Sequence, residues 1–296
     1  MRFLITGGTG FIGSHFQQSA LAHEEHEVVI LTRSEKASNH PRLHYVQWNG
    51  RKIPAEVGEI DVILNLAGAN IADKAWTASR KMVLVDSRVD ATNACVSFIK
   101  ASEHKPKVFL SCSAIGIYGG DNPTPSDEDA PLGSDFMATL CQRWEDAAAD
   151  AGIRTIIFRT PIVLDAKEGA LPKMAMPFKL FVGGVLGSGK QGISWIHVED
   201  FIDLLWRFVE DESLKGIINA CTPNYVDNAE LSKELAAALG RPNLFWVPSF
   251  VMKLLLGERA IIVLGGQKVI PRRLQEVEYS FKFPTLREAL QDLYNK

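Results

Sequence analysis

The sequence predicts an α/β protein in which a doubly wound, Rossmann-type parallel sheet is followed by a smaller, mostly helical domain. Three observations predict it. Short, almost continuous apolar runs alternate with helical patterns through the first half, as doubly covered parallel strands should. A glycine-rich turn, Thr6-Gly7-Gly8-Thr9-Gly10-Phe11-Ile12-Gly13, joins the first run to the first helical pattern. Beyond residue 165 the alternation stops, and glycine and proline become frequent between Gly169 and Gly192.

Taken in order, the apolar runs at 2–6, 27–33, 61–66, 107–111 and 155–159 read as strands. Between them, 14–22, 77–102 and 134–151 read as helices, the last with Ser134 as N-cap and Gly152 as the residue that ends it. Further helices are expected at 200–210, 229–239 and 285–294, and 216–219 reads as a strand able to return to the first sheet. The chain is therefore divided into a cofactor domain, 1–165, and a substrate or capping domain, 166–296.

The 296 residues include 46% hydrophobic and 23% charged side chains, the balance of a folded globular protein, which excludes collagen-like, disordered and coiled-coil classes. Lys and Arg number 32 against 35 Asp and Glu, so no basic surplus points to nucleic acid or an anionic membrane surface. Cys95, Cys112, Cys141 and Cys221 are widely separated and read as reduced thiols. With no signal-peptide pattern and no apolar run near the roughly 20 residues of a span, a cytoplasmic protein is expected. Its expected partner is a small-molecule substrate, a homodimer being left open.

Within the glycine turn, Gly7 permits the tight bend, Gly10 lets backbone N–H groups approach a pyrophosphate, and Gly13 allows close helix–strand packing. The anion would sit on the helix N-terminus. NAD-binding folds place an acidic residue about 20 residues later; here Thr32-Arg33-Ser34 stands instead. A guanidinium suits a 2′-phosphate, so NADP(H) is the expected cofactor, the alternative being that Arg33 is a solvated strand-end charge.

These residues carry a resemblance. TGGTGFIG, Asn65-Leu66-Ala67-Gly68 and Ser111-Cys112-Ser113-Ala114 are similar to the motifs of extended short-chain dehydrogenases/reductases, the group that contains sugar-nucleotide epimerases. Trp76 with Ser87-Arg88, Trp144-Glu145, Gly183 to Gly189 with Ser194-Trp195-Ile196-His197, and Gln267 to Arg273 resemble one atypical branch, the epimerase family proteins. The resemblance implies that Gly7, Gly10, Phe11, Ile12 and Gly13 hold the pyrophosphate. Thr32 and Arg33 would meet the adenosine side, Leu66, Ala67 and Gly68 would line the next stretch, and Ile162 would lie near the nicotinamide. Arg88 falls where many extended members have an Asn, and would contact cofactor phosphates or stand on a solvated helix face.

In that group a Tyr four residues before a Lys exchanges protons, the ammonium lowering a phenol whose ordinary pKa is about 10. The pair is absent here. Asn49, Asn122, Ala229 and Phe283 follow Tyr45, Tyr118, Tyr225 and Tyr279 at that spacing, and residues 135–145 contain neither Tyr nor Lys. Ser113 matches the catalytic serine of the group. Tyr118, in the following loop, is the first candidate for a second proton-transfer group, with a structural role as its alternative. His197 is a second candidate, more readily read as packing the two domains together. The expected function is an NADP(H)-dependent oxidoreductase or epimerase; the other class is a catalytically silent NADP(H)-binding sensor.

Four further features read as bland. Gly184 to Lys190 nearly matches a phosphate-binding loop, but Gln191 replaces the metal-ligating Ser or Thr and no clear strand precedes it, so a mobile substrate-side loop is expected. His23-Glu24-Glu25-His26 reads as a solvated turn without a third metal ligand. Trp144 and Trp206 read as core, and Lys173, Lys179, Lys190 and Arg273 as solvated charges or anion contacts.

Overall fold

The computed structural model describes residues 1–295, with Asp121 and Pro123 described by their backbone alone. Seven parallel strands form the main sheet: β1 (Arg2–Thr6), β2 (Glu27–Thr32), β3 (Leu43–Gln47), β4 (Val62–Asn65), β5 (Val108–Ala114), β6 (Thr155–Thr160) and β7 (Gly216–Asn219). Their spatial order is β7-β6-β5-β4-β1-β2-β3. The order reverses between β1 and β4, and ligands of such sheets bind beyond the carboxyl ends of the strands at that point.

Side-chain alternation explains the two faces. Phe3 and Ile5 of β1 join one buried cluster and Leu4 the other. Helix α1 (Phe11–Leu21) adds Phe16 and Ala20 to the first cluster. Helix α2 (Ala78–Ala101) adds Ala91, Ala94, Cys95 and Ile99 to the second, and α3 (Phe136–Ala149) adds Ala148.

Three local expectations are corrected. Strand β3 was not read from the sequence: LHYVQ is an edge strand with a weak apolar signal, and only Leu43 is buried. Strand β5 runs on to Ala114, which places Ser113 within the ladder, level with Arg159 of β6. The N-cap of α3 is Asp135, not Ser134. Its carboxylate accepts from Ala138 N (2.9 Å) and Gly120 N (2.7 Å), so one side chain caps the helix and pins the loop after β5, which a serine hydroxyl reaches less well.

Beyond residue 165 the division is less simple than the expected boundary. Ile162–Leu164 pairs with Trp195–His197, leading away from the main sheet and back. Helix α4 (Leu171–Lys179) lies in that excursion. Helix α5 (Val198–Glu210) then packs Phe201, Leu204, Leu205 and Phe208 into the first cluster of the main sheet, and β7 pairs with β6. A separate buried cluster is built from α4, α6 (Asn228–Ala238) and the terminal helix Leu286–Tyr294 around Trp195, Leu231 and Leu290.

Candidate functional site

The glycine turn leaves β1 with Gly7 at φ +68, a conformation that side chains rarely adopt. A Cβ there would lie 2.7 Å from the Leu66 carbonyl oxygen, and one on Gly13 would lie 2.5 Å from the Gly7 oxygen. Backbone therefore meets backbone on two sides of the turn. Gly10 is the N-cap of α1, no side chain caps this helix, and its first turn carries no acidic residue. Phe11, Ile12 and Gly13 thus open the helix with its N-terminal N–H groups and positive dipole end available to an anion.

The adjoining loop is fixed from beneath. Thr6 Oγ1 donates to Asn65 Oδ1 (2.7 Å) and accepts from Leu66 N and Ala67 N (both 3.1 Å). Asn65 in turn donates to Thr92 of α2 (2.8 Å), and Ala69 N donates to Ser87 Oγ (3.0 Å). Arg88 comes from the same turn of α2. A Cβ on Gly68 would stand 3.0 Å from its Cζ, and its guanidinium lies over the Trp144 ring at 5.1 Å. It donates to the Leu84 carbonyl (2.9 Å), while its Nε has no partner among the described residues. Burial holds this cation below its ordinary pKa. Gly68 and Arg88 are thus brought together beside the glycine turn.

Thr32 ends β2, buried, with its hydroxyl given to the Ser34 carbonyl (2.5 Å), and Arg33 follows exposed. Among the described residues Arg33 has no ion-pair partner. It stands at one end of a cleft of about 1410 Å³ that passes Gln47, Trp48, Arg51 and Lys52. Arg51 is committed to Asp90 (2.9 Å).

Ser113 and Tyr118 are drawn into one hydrogen-bonded chain through residues that the sequence did not single out for it. Ser113 Oγ donates to Glu145 Oε1 (2.6 Å). Arg159 grips that carboxylate through Nε to Oε1 and Nη2 to Oε2, both 2.8 Å, and donates from Nη1 to the Tyr118 hydroxyl (2.8 Å). Tyr118 donates onward to Asn219 Oδ1 of β7 (2.8 Å). The chain is closed to solvent: Ser113 is 0% and Tyr118 2% exposed. As placed, the two hydroxyls brace β5, α3, β6 and β7 against one another. The signal in the sequence was the Trp144-Glu145 pair; what it lacked was the buried cation, carried on β6.

Burial pushes the Tyr118 phenol up to about 12, with Arg159 opposing. Because the folded value lies above the ordinary one of about 10, the unfolded chain ionises first as pH rises. The contribution of Tyr118 to stability should be intact below about pH 10 and lost towards pH 12. Equilibrium unfolding at rising pH should show this fall, and Tyr118→Phe should flatten it; an identical slope in the variant would refute the assignment.

Elsewhere on α3, positions four apart, Met137 and Cys141, lie against Gly116 at distances of 3.3 and 4.0 Å from a Cβ built there. Met137 has no proton to give, and burial pushes the Cys141 thiol up to about 12, far above the range of a general acid near neutral pH. Ile162 packs partly into the separate cluster, where its strand meets Trp195. All four cysteines are free thiols.

With this geometry in place, residues 3–221 match the NAD dependent epimerase/dehydratase family, and 247–293 match a domain of unknown function, DUF1731. The chain belongs to the NAD-dependent epimerase/dehydratase family. Within it, the chain is an extended short-chain dehydrogenase/reductase of the epimerase family protein branch. An epimerase family protein of Staphylococcus saprophyticus is 38% identical over 98% of both chains. The structure of human epimerase family protein SDR39U1 with NADPH has a TM-score of 0.90 and 32% identity, covering all of both chains. A nucleoside-diphosphate sugar epimerase from Corynebacterium glutamicum reaches 0.80 at 28% identity, covering all of this chain and 59% of that one.

The family features at Gln267 to Arg273 now have a physical role. Gln267 donates to the Gly119 carbonyl (2.8 Å), Val269 N to Ser194 Oγ (2.9 Å), and the backbone N–H groups of Arg272 and Arg273 to Glu128 (3.1 and 3.4 Å). Arg273 also gives one arm of its guanidinium to the Ile217 carbonyl (2.5 Å) and lies 3.8 Å from the Asp129 carboxylate. His197 N-caps α5, accepting from Glu199 N (3.1 Å), and lies on Phe283 with ring centres 4.0 Å apart. It joins α5 to the C-terminal segment, as its packing role required.

Two bland readings change. Among the described residues no strand runs directly into Gly184, as expected, but Gly184–Leu186 itself pairs with Phe245–Val247 and the loop is held rather than loose: Leu186 N donates to Asn228 (2.9 Å), Gln191 to the Leu186 carbonyl (3.0 Å) and Trp246 to the Gly187 carbonyl (2.6 Å). Gln191 is thus a clasp in the place of a metal-ligating hydroxyl. In the 23–26 turn, His26 is buried between Phe3 and Trp206, and Glu25 does join His23 and His26 with ligand atoms within 4.8 Å of one another. This turn lies at the opposite ends of the strands from the glycine turn. Trp144 is core, its indole N–H given to Thr92 (3.1 Å), and Trp206 stacks on Phe16.

Proposed function

We propose that this chain binds NADP(H) and acts as an oxidoreductase or epimerase on a small carbonyl or nucleotide-sugar-like molecule in the cytoplasm. The observation that carries this reading is the uncapped N-terminus of α1 behind a turn that admits no side chain, with the unpaired Arg33 at the end of the next strand. NADPH in the human relative supports it, as does the sugar epimerase name of the bacterial one.

In this reading the N–H groups of Phe11 to Gly13 hold the pyrophosphate, and Thr32 and Arg33 meet the 2′-phosphate. Leu66, Ala67 and Gly68 line the path onward, Arg88 reaches it from α2, and Ile162 bounds the nicotinamide side. The bound cofactor supplies hydride transfer. Ser113 commits its proton to Glu145 and would keep its lone pairs for a substrate hydroxyl.

Arg33→Ala should weaken NADPH binding about 10- to 150-fold, the value of one or more hydrogen bonds to a charged group, and leave NADH binding nearly unchanged. Isothermal titration with both cofactors checks it; equal losses for the two would remove Arg33 from the 2′-phosphate.

A second reading, an NADP(H)-binding sensor without turnover, is favoured by the full enclosure of the Ser113 and Tyr118 hydroxyls. Incubation with NADPH and a panel of carbonyl compounds and nucleotide sugars, followed by nicotinamide absorbance and product analysis, separates the two. Turnover abolished by Ser113→Ala with NADPH affinity kept establishes the enzyme. Tight NADPH binding without turnover establishes the sensor.

A further inference from the structure

We infer that the C-terminal half of the chain docks on an anionic lipid surface through an apolar face that carries Arg241 and Lys253. Helix α7 (Ser249–Leu256) has the sequence SFVMKLLL, yet none of its side chains is buried. Leu254 is 84%, Leu244 80% and Phe250 70% exposed. The face is continuous. Phe245–Val247 lies beside Gly184–Leu186, next to the exposed Leu180-Phe181-Val182 segment, and Arg241 covers the Phe181 ring at 4.6 Å. Phe181 is moreover held at φ +63, a costly conformation for an aromatic residue left in water. Single exposed apolar residues are ordinary on a monomer; a contiguous patch of this size marks an interaction surface.

Charge identifies the occupant. Residues 169–198 and 235–257 contain Lys173, Lys179, Lys190, Arg241 and Lys253 and no aspartate or glutamate, although acids outnumber bases over the whole chain. All five cations are exposed. Glu258, the acid just beyond α7, is turned to Lys81 (2.8 Å). An apolar face carrying Trp and Phe, with Arg241 on the Phe181 ring, Lys253 within α7 and no acid in either segment, matches the acyl–headgroup boundary of an anionic bilayer. A second copy docking face to face would set the same cations against themselves, because a twofold contact presents each patch to its twin. The near-zero net charge, which argued against a membrane surface, conceals this segregation.

The test is flotation of the full chain with phosphatidylcholine vesicles, with and without phosphatidylglycerol, at low and high salt. The chain should float with the anionic vesicles, and less at high salt. Leu254→Glu should reduce partitioning at least about tenfold and Lys253→Ala about fivefold, the latter being the value of one cation near the surface. Unchanged melting temperature and NADPH affinity in both variants exclude a folding defect. Absence of flotation with anionic vesicles, or flotation of Leu254→Glu equal to the parent, overturns the inference. So does a dimer in sedimentation without lipid that Leu254→Glu dissociates, which would make a second copy the occupant.

Discussion

Glu145→Ala should destabilise the protein by about 3–5 kcal/mol, the range for removing one partner of a buried ion pair. Glu145 takes both forks of Arg159 and the hydroxyl of Ser113, and Arg159 is 2% exposed. Without the carboxylate, the guanidinium keeps only the Tyr118 hydroxyl and a backbone carbonyl, and stays in a site that water does not reach. The large effect belongs to the orphaned charge and not to the net worth of the pair. Removing both charges together, as in Glu145→Leu with Arg159→Leu, should therefore recover much of the loss. Urea unfolding of the two variants beside the parent measures this. A loss below about 1 kcal/mol for Glu145→Ala would mean that Arg159 finds another anion or reaches solvent.

Gly7→Ala should raise the NADPH dissociation constant about 100-fold or more, equivalent to about 3 kcal/mol. Two independent obstacles act at this residue. A Cβ would lie 2.7 Å from the Leu66 oxygen, and φ +68 is unfavourable for any L side chain. Relief requires the turn to part from the 66–68 loop, and both elements line the proposed cofactor path. Calorimetric titration of the variant decides the matter, and affinity within threefold of the parent would show that the pyrophosphate is held elsewhere.

What the sequence disclosed followed from strong local signals. Strands 2–6 and 155–159 were legible because their centres, Phe3-Leu4-Ile5 and Ile156-Ile157-Phe158, are buried on both faces and so form unbroken apolar runs. Strand β3 was not, since an edge strand keeps polar residues outward. The turn at Gly7 to Gly13 could be read because its glycines act locally. The partners of Ser113 could not, because Glu145 and Arg159 stand 32 and 14 residues away along the hydrogen bonds that join them, and only the packing of α3 across β5 and β6 brings them together. The absence of a Tyr four residues before a Lys was visible at once, whereas the enclosure of Tyr118 by Asn219 depends on β7 returning to pair with β6 after an excursion of more than fifty residues.

That return has a consequence for the order in which the molecule forms during synthesis. Strand β6 ends at Thr160, but the strand that covers its open edge begins at Gly216, and α5, which shields one face of the sheet, ends only at Glu210. A ribosome that has released the first six strands still holds the piece that closes them. At roughly 5–20 residues per second the exposed edge persists for several seconds. Such an edge is a template for pairing with another chain, so the nascent protein should depend on chaperones most strongly in the interval before residue 219 emerges.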